Sequence, residues 1–189
     1  PLIFVEVALT EGLAGSIGTL LAEREAPEDS GRADTAIFYS ISNAQRGLDG
    51  IGFGGFLIKR VVEQLAAEIE HIQTFATLSP IPGFRRWLDA RLGEPAADLL
   101  TRGERRALGI FLYAEDDNGL DDASCLAQLL DRPGWHDNPD LAKALEGPMT
   151  RLCAQYLGRE KNGGGHALDP VAHFHLSNGA RMERRNWLA

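Results

Sequence analysis

The sequence predicts an α+β fold, with one mixed β-sheet, flanking helices and a helical insertion over residues 94–160. Three observations carry that expectation. Short apolar runs of strand length alternate with helical periodicity as far as Leu92; from Pro95 to Arg159 the pattern is helical with no convincing strand; and strand-like character returns after Gly163-Gly164-Gly165. The 189 residues, 44% hydrophobic and 24% charged, can bury one sizeable core or two small ones, and one principal domain is expected.

The elements follow in order. Leu2 to Leu9 reads as a first strand, and Ser16 stands as the N-cap of a short helix from Ser16 to Arg24. Pro27 to Gly31 is a polar loop. Thr35 to Ser42, rich in β-branched and aromatic residues, reads as a buried second strand. A glycine-rich connection from Gly47 to Gly55 then opens a helix expected from about Phe56 to Ile69, whose Leu57, Ile58, Val61, Val62, Leu65 and Ile69 share one face. Gln73 to Leu78 is the third strand and Phe84 to Leu92 a short helix. The insertion offers helices at Arg105 to Asp116, Ala123 to Leu130 and Leu141 to Leu157, separated by turn chemistry at 116–119 and at Pro133-Gly134. Val171 to Leu176 and Ala180 to Trp187 read as two strands, and Asn178-Gly179 between them is a strong hairpin signal.

Composition excludes several classes of function. A net charge of −8 and a pI near 5.1 argue against nucleic acid as a partner, since phosphate neutralisation needs a basic surface. Arg85-Arg86 could still meet a smaller anion. No apolar run approaches the roughly 20 residues of a membrane helix, so no membrane association is expected. Cys125 and Cys153 are too few for a disulfide framework and lack metal spacing; both read as buried thiols in helices. The chain opens without Met on a strand and stops just after an apolar stretch, as a piece of a longer protein would.

Three features could carry chemistry. Ser79 closes an apolar run and is followed by Pro80-Ile81-Pro82-Gly83; Pro80 cannot extend a ladder and biases Ser79 away from helix, so the hydroxyl points out of the sheet. The same segment also serves as a plain strand-to-helix turn. Gly50, Gly52, Gly54 and Gly55 let backbone approach a ligand closely ahead of a helix N-terminus, a suitable place for a pyrophosphate. A dinucleotide fold would need an acidic residue at the end of the next strand, where Leu78-Ser79-Pro80 stands instead. Alternating glycines also suit the coenzyme A loop of acetyltransferase-like folds, although the usual Gln or Arg ahead of it is missing, and a Gly-rich turn with no ligand is the plain alternative. His173 and His175, two apart on an expected strand, would share a face; no third ligand has recognised spacing, so one catalytic and one structural histidine fit better than a metal pair. His71, His136 and His166 read as surface residues.

Taken together, Phe38 to Ser42, Gly50 to Lys59, Leu78 to Phe84, Met149 to Tyr156 and Leu168 to Ala180 closely resemble the malonyl-CoA decarboxylase family, in the family's order and across the chain from Phe4 to Trp187. The resemblance implies an acetyltransferase-like (GNAT-like) catalytic domain that converts malonyl-CoA to acetyl-CoA and carbon dioxide. It implies no metal and no cofactor, coenzyme A being part of the substrate. It further implies Ser79 and His175 as the catalytic pair. The coenzyme A moiety would be bound by Asp49, Gly50, Ile51, Gly52, Phe53, Gly54 and Gly55, with Ser40 also in the site. Some family members carry a glutamate where this chain has Gly52, so no role of that carboxylate transfers. A homo-oligomer is expected, in the cytoplasm of a bacterium or in mitochondria or peroxisomes of a eukaryote. The family's N-terminal helical domain is not represented. Two other readings of the same features are an acyl-CoA N-acyltransferase and a non-catalytic acyl-CoA-binding module.

Overall fold

The computed structural model describes residues 3–22, 30–43, 53–94, 98–112 and 121–189. The chain divides into two compact units, the first made of residues 1–80, 174–181 and 189, the second of 81–173 and 182–188.

The first unit is built on a three-stranded sheet of order β1-β2-β3, with β1 at Ile3–Thr10, β2 at Thr35–Asn43 and β3 at Thr74–Thr77. β1 runs antiparallel to β2 and β2 parallel to β3, so the sheet is mixed as the sequence predicts. Asp34 fixes the register where β1 hands over to β2: its Oδ1 accepts from Gly12 N and from Thr35 Oγ1, both at 2.7 Å. Those bonds, the Gly12 amide foremost, hold the exposed Asp34 carboxyl below the usual carboxylate range. The core of this unit is the first half of β2, where Ala36, Ile37 and Phe38 are buried, together with Ile72. A short helix, α1 (Ile17–Leu21), follows Ser16, which stands at the N-cap but makes no side-chain cap bond.

Helix α2 (Phe53–Glu68) connects β2 to the parallel β3, as a parallel pair requires. It starts three residues ahead of the expected Phe56, so Gly54 and Gly55 lie in its first turn rather than in a loop. Asp49 to Gly52 fall outside the described residues.

The second unit is helical. Helix α3 spans Phe84–Leu92, as read from the sequence. The expected helix at 105–116 is instead α4, Arg102–Gly109: Thr101 and Glu104 form a capping box that starts it earlier. Helices α5 (Asp122–Leu130) and α6 (Pro139–Arg159) extend the predicted segments by a residue or two. Asp121 and Asn138 cap them, and Pro139 takes the first turn of α6, where its missing N–H is harmless. Leu88, Leu108, Leu126, Leu129, Leu145 and Leu152 are buried together as the core. Cys125 and Cys153 are buried thiols on α5 and α6.

The largest correction concerns residues 170–187. No strand and no hairpin form there; Pro170–Ser177 is helix α7, and residues 180–186 have no regular structure. Asn178-Gly179 is the end of that helix. Gly179, at φ +89°, donates to Leu176 O at 3.2 Å and Ala180 N donates to His175 O at 3.1 Å, the paired bonds of a Schellman cap. His173 and His175 therefore do not share a face, because residues two apart on a helix point in nearly opposite directions.

Candidate active site

Ser79 follows β3 at a point where the ladder has just ended: Leu78 N still donates to Phe38 O at 3.0 Å, and Pro80 has no N–H to continue. The half-buried serine side chain is thereby freed from the sheet. Its Oγ lies 3.0 Å from Nε2 of His175, a residue 96 positions away in sequence and on the last turn of α7. Both residues belong to the first unit. Burial pushes the His175 imidazole below its ordinary proton affinity, which favours a neutral ring whose Nε2 can accept the Ser79 proton. The Phe174 ring stands edge-on to this imidazole, with centroids 5.0 Å apart and planes at 75°.

The glycines of α2 have a packing role. A Cβ on the buried Gly55 would overlap the Asn178 carboxamide, and one on Gly54 would come within 3.3 Å of Phe174 Cζ. The Cα faces of Gly54 and Gly55 in the first turn of α2 therefore meet Phe174 and Asn178. Phe53 is the first residue of that helix, and Ser40 lies half-buried on β2, two residues beyond Phe38. The expected surface histidines, His71, His136 and His166, are exposed. Among the described residues no cluster of three or more His, Cys, Asp or Glu could hold a metal ion, and no helix is long and apolar enough to cross a membrane.

Sequence reasoning passed over Asp169. This carboxylate is 1% exposed, and its Oδ1 accepts from Val171 N and Ala172 N at 3.0 Å each, capping α7. Its Oδ2 accepts from Gly83 N at 3.1 Å and from the Tyr156 hydroxyl at 3.4 Å. Burial, then the Asp169 charge, raises the Tyr156 phenol above its ordinary value. The signal was present: an Asp before Pro170 is the N-cap and N1 pair of a helix.

The sequence profile of the malonyl-CoA decarboxylase C-terminal domain matches residues 1–189. The chain belongs to the malonyl-CoA decarboxylase family. Mitochondrial malonyl-CoA decarboxylases of Anser anser anser and Rattus norvegicus are 43% and 41% identical over the whole chain. The chain spans 37% and 38% of their respective lengths. Crystal structures of malonyl-CoA decarboxylase from Rhodopseudomonas palustris and Agrobacterium vitis superpose with TM-scores of 0.80 and 0.77, at 45% and 40% identity. Each covers all of this chain, which in turn covers 39% and 42% of theirs. The mixed sheet and the helices are thus similar to the matching part of known malonyl-CoA decarboxylase structures.

Proposed function

We propose that this chain is the catalytic part of an enzyme that decarboxylates malonyl-CoA to acetyl-CoA and carbon dioxide, with Ser79 and His175 at the reacting centre. Family membership supports the substrate, and the 3.0 Å approach of Ser79 Oγ to His175 Nε2 supports the pair. Loss of carbon dioxide leaves a thioester enolate, so the barrier falls with whatever stabilises charge on the thioester oxygen; a preorganised donor in a dry site contributes about 3 kcal/mol. In this reading the Ser79 hydroxyl acts as such a donor or orients the leaving carboxylate.

The enolate carbon must then receive a proton, which we assign to His175. Burial depresses its proton affinity. The incoming malonyl carboxylate brings a negative charge that favours the imidazolium, so substrate and proton enter together. The carbon–carboxyl bond breaks, its electron pair passes into the enolate, and the His175 proton closes the new methyl group; solvent restores the imidazolium in the next cycle. The segment Asp49 to Gly55 and Ser40 contact the coenzyme A moiety in this scheme, and remote binding holds the carboxylate away from solvent. An acetyltransferase-like architecture, with residues 94–160 as its insertion, accompanies this reading. So do an assembly of identical subunits and, for a bacterial source, a cytoplasmic location.

Incubating the full-length protein with malonyl-CoA and following acetyl-CoA and carbon dioxide by mass spectrometry tests the proposal. Stoichiometric appearance of both is expected. Unchanged malonyl-CoA in a folded sample that binds it would overturn the assignment.

A further inference from the structure

The glycine pair at the start of α2 leads to a residue that neither the motif nor the dyad brings forward. The Cα faces of Gly54 and Gly55 are covered by α7. Phe174 Cζ and Cε2 would lie 3.3 and 3.6 Å from a Cβ at Gly54, closer than ordinary contact at the first of these atoms. Asn178, which covers Gly55, is itself anchored: its Nδ2 donates to Phe174 O at 2.8 Å, and its backbone N donates to Phe174 O and His175 O at 3.2 and 3.1 Å. One ring therefore rests on the first turn of α2 and also stands against the His175 imidazole at 5.0 Å. All of these residues lie in the first unit.

We propose that Phe174, seated against Gly54 in the first turn of α2, is a positioning residue for His175, holding the imidazole against Ser79 Oγ and keeping water from it. The inference rests on the decarboxylase reading above. An edge-on aromatic neighbour restricts ring rotation and excludes solvent from one side of the imidazole. The imidazole meets the Ser79 hydroxyl just beyond β3 and the Phe174 ring on α7, and Gly54 of α2 lies against that ring. Burial lowers its proton affinity. Gly54 has no side chain because a methyl there would displace the ring by tenths of an ångström, and small displacements of a reacting group are costly in rate.

The test titrates the His175 ring by NMR in the full-length protein and measures kcat and KM for malonyl-CoA, in Phe174→Ala, Phe174→Leu, Gly54→Ala and Gly54→Ala/Phe174→Leu. In Phe174→Ala the His175 pKa should rise toward the ordinary imidazole value, with kcat falling about tenfold or more and KM staying within about twofold. Phe174→Leu should recover most of both. Gly54→Ala should shift the titration in the same direction by less, and the shorter leucine should relieve it in the double variant, which keeps the test open if Phe174→Ala does not fold. An unmoved His175 titration in Phe174→Ala and Gly54→Ala, or a raised KM with unchanged kcat, would overturn the proposal. The titration needs no turnover: shifts as expected in a protein that leaves malonyl-CoA intact would retain Phe174 as the support of His175 and defeat only the decarboxylase reading.

Discussion

Replacing Gly83 by alanine should be among the most damaging single-methyl additions in this chain. Gly83 closes the Ser79-Pro80-Ile81-Pro82 segment, and its new Cβ would overlap the Tyr156 hydroxyl, lie 3.1 Å from Tyr156 Cζ and lie 3.2 Å from Asp169 Oδ2. Neither neighbour can withdraw easily: Tyr156 is 2% exposed and packs on Trp87 at 5.4 Å, and Asp169 is held by two amides of α7. Overpacking a buried site costs about 1–3 kcal/mol, and breaking the Gly83 amide's bond to a buried carboxylate adds about 1–3 kcal/mol. A loss of about 4 kcal/mol follows from the two together. Urea unfolding followed by tryptophan fluorescence measures it, with Tyr156→Phe as the control, because removing the hydroxyl removes the worst overlap. The cost of Gly83→Ala should fall by about 1–2 kcal/mol in the Tyr156→Phe background, the range of coupling between residues in contact. A loss below about 1 kcal/mol, or equal losses in both backgrounds, would refute the reasoning.

Two further expectations follow from the site. If His175 must carry a proton when the malonyl carboxylate is bound, kcat/KM reports the free site and should decline as pH rises through the lowered His175 pKa. The bound carboxylate raises that pKa, so kcat should persist to higher pH than kcat/KM; coincident alkaline limbs in pH–rate profiles would contradict proton uptake with substrate. Gly179, at φ +89° in the C-terminal cap of α7, should cost about 1 kcal/mol as alanine in thermal unfolding, and an unchanged midpoint would show that the cap does not hold the helix.

The position of Ser79 and the elements around it were legible because their signals are local. Ser79 was marked by the end of an apolar run before Pro80, and β2, β3 and α3 by composition and periodicity, with α3 bounded by Gly83 and Gly93. Residues 170–177 were misread because the apolar run from Val171 to Leu176 is too short for its periodicity to separate strand from helix, and because Asn-Gly serves a hairpin turn and a helix end equally. The Asp169-Pro170 start was the deciding local signal. Gly54 and Gly55 were read as backbone open to a ligand, and the structure adds that a Cβ at either would meet Phe174 or Asn178. No spacing rule reveals that, since the partners lie more than a hundred residues away. Asp169 and Gly83 pair across 86 residues and join two motifs that the sequence presents separately.

The most direct test of the central claim is the kinetics of His175→Asn in the full-length protein with malonyl-CoA, alongside its affinity for coenzyme A. Asparagine keeps a polar side chain at the position but cannot deliver a proton near neutral pH. A fall in kcat of about 100-fold or more with coenzyme A affinity within about twofold is the expected result. A His175→Asn protein that turns over malonyl-CoA at the unaltered rate, or loses kcat and affinity in equal measure, would contradict it.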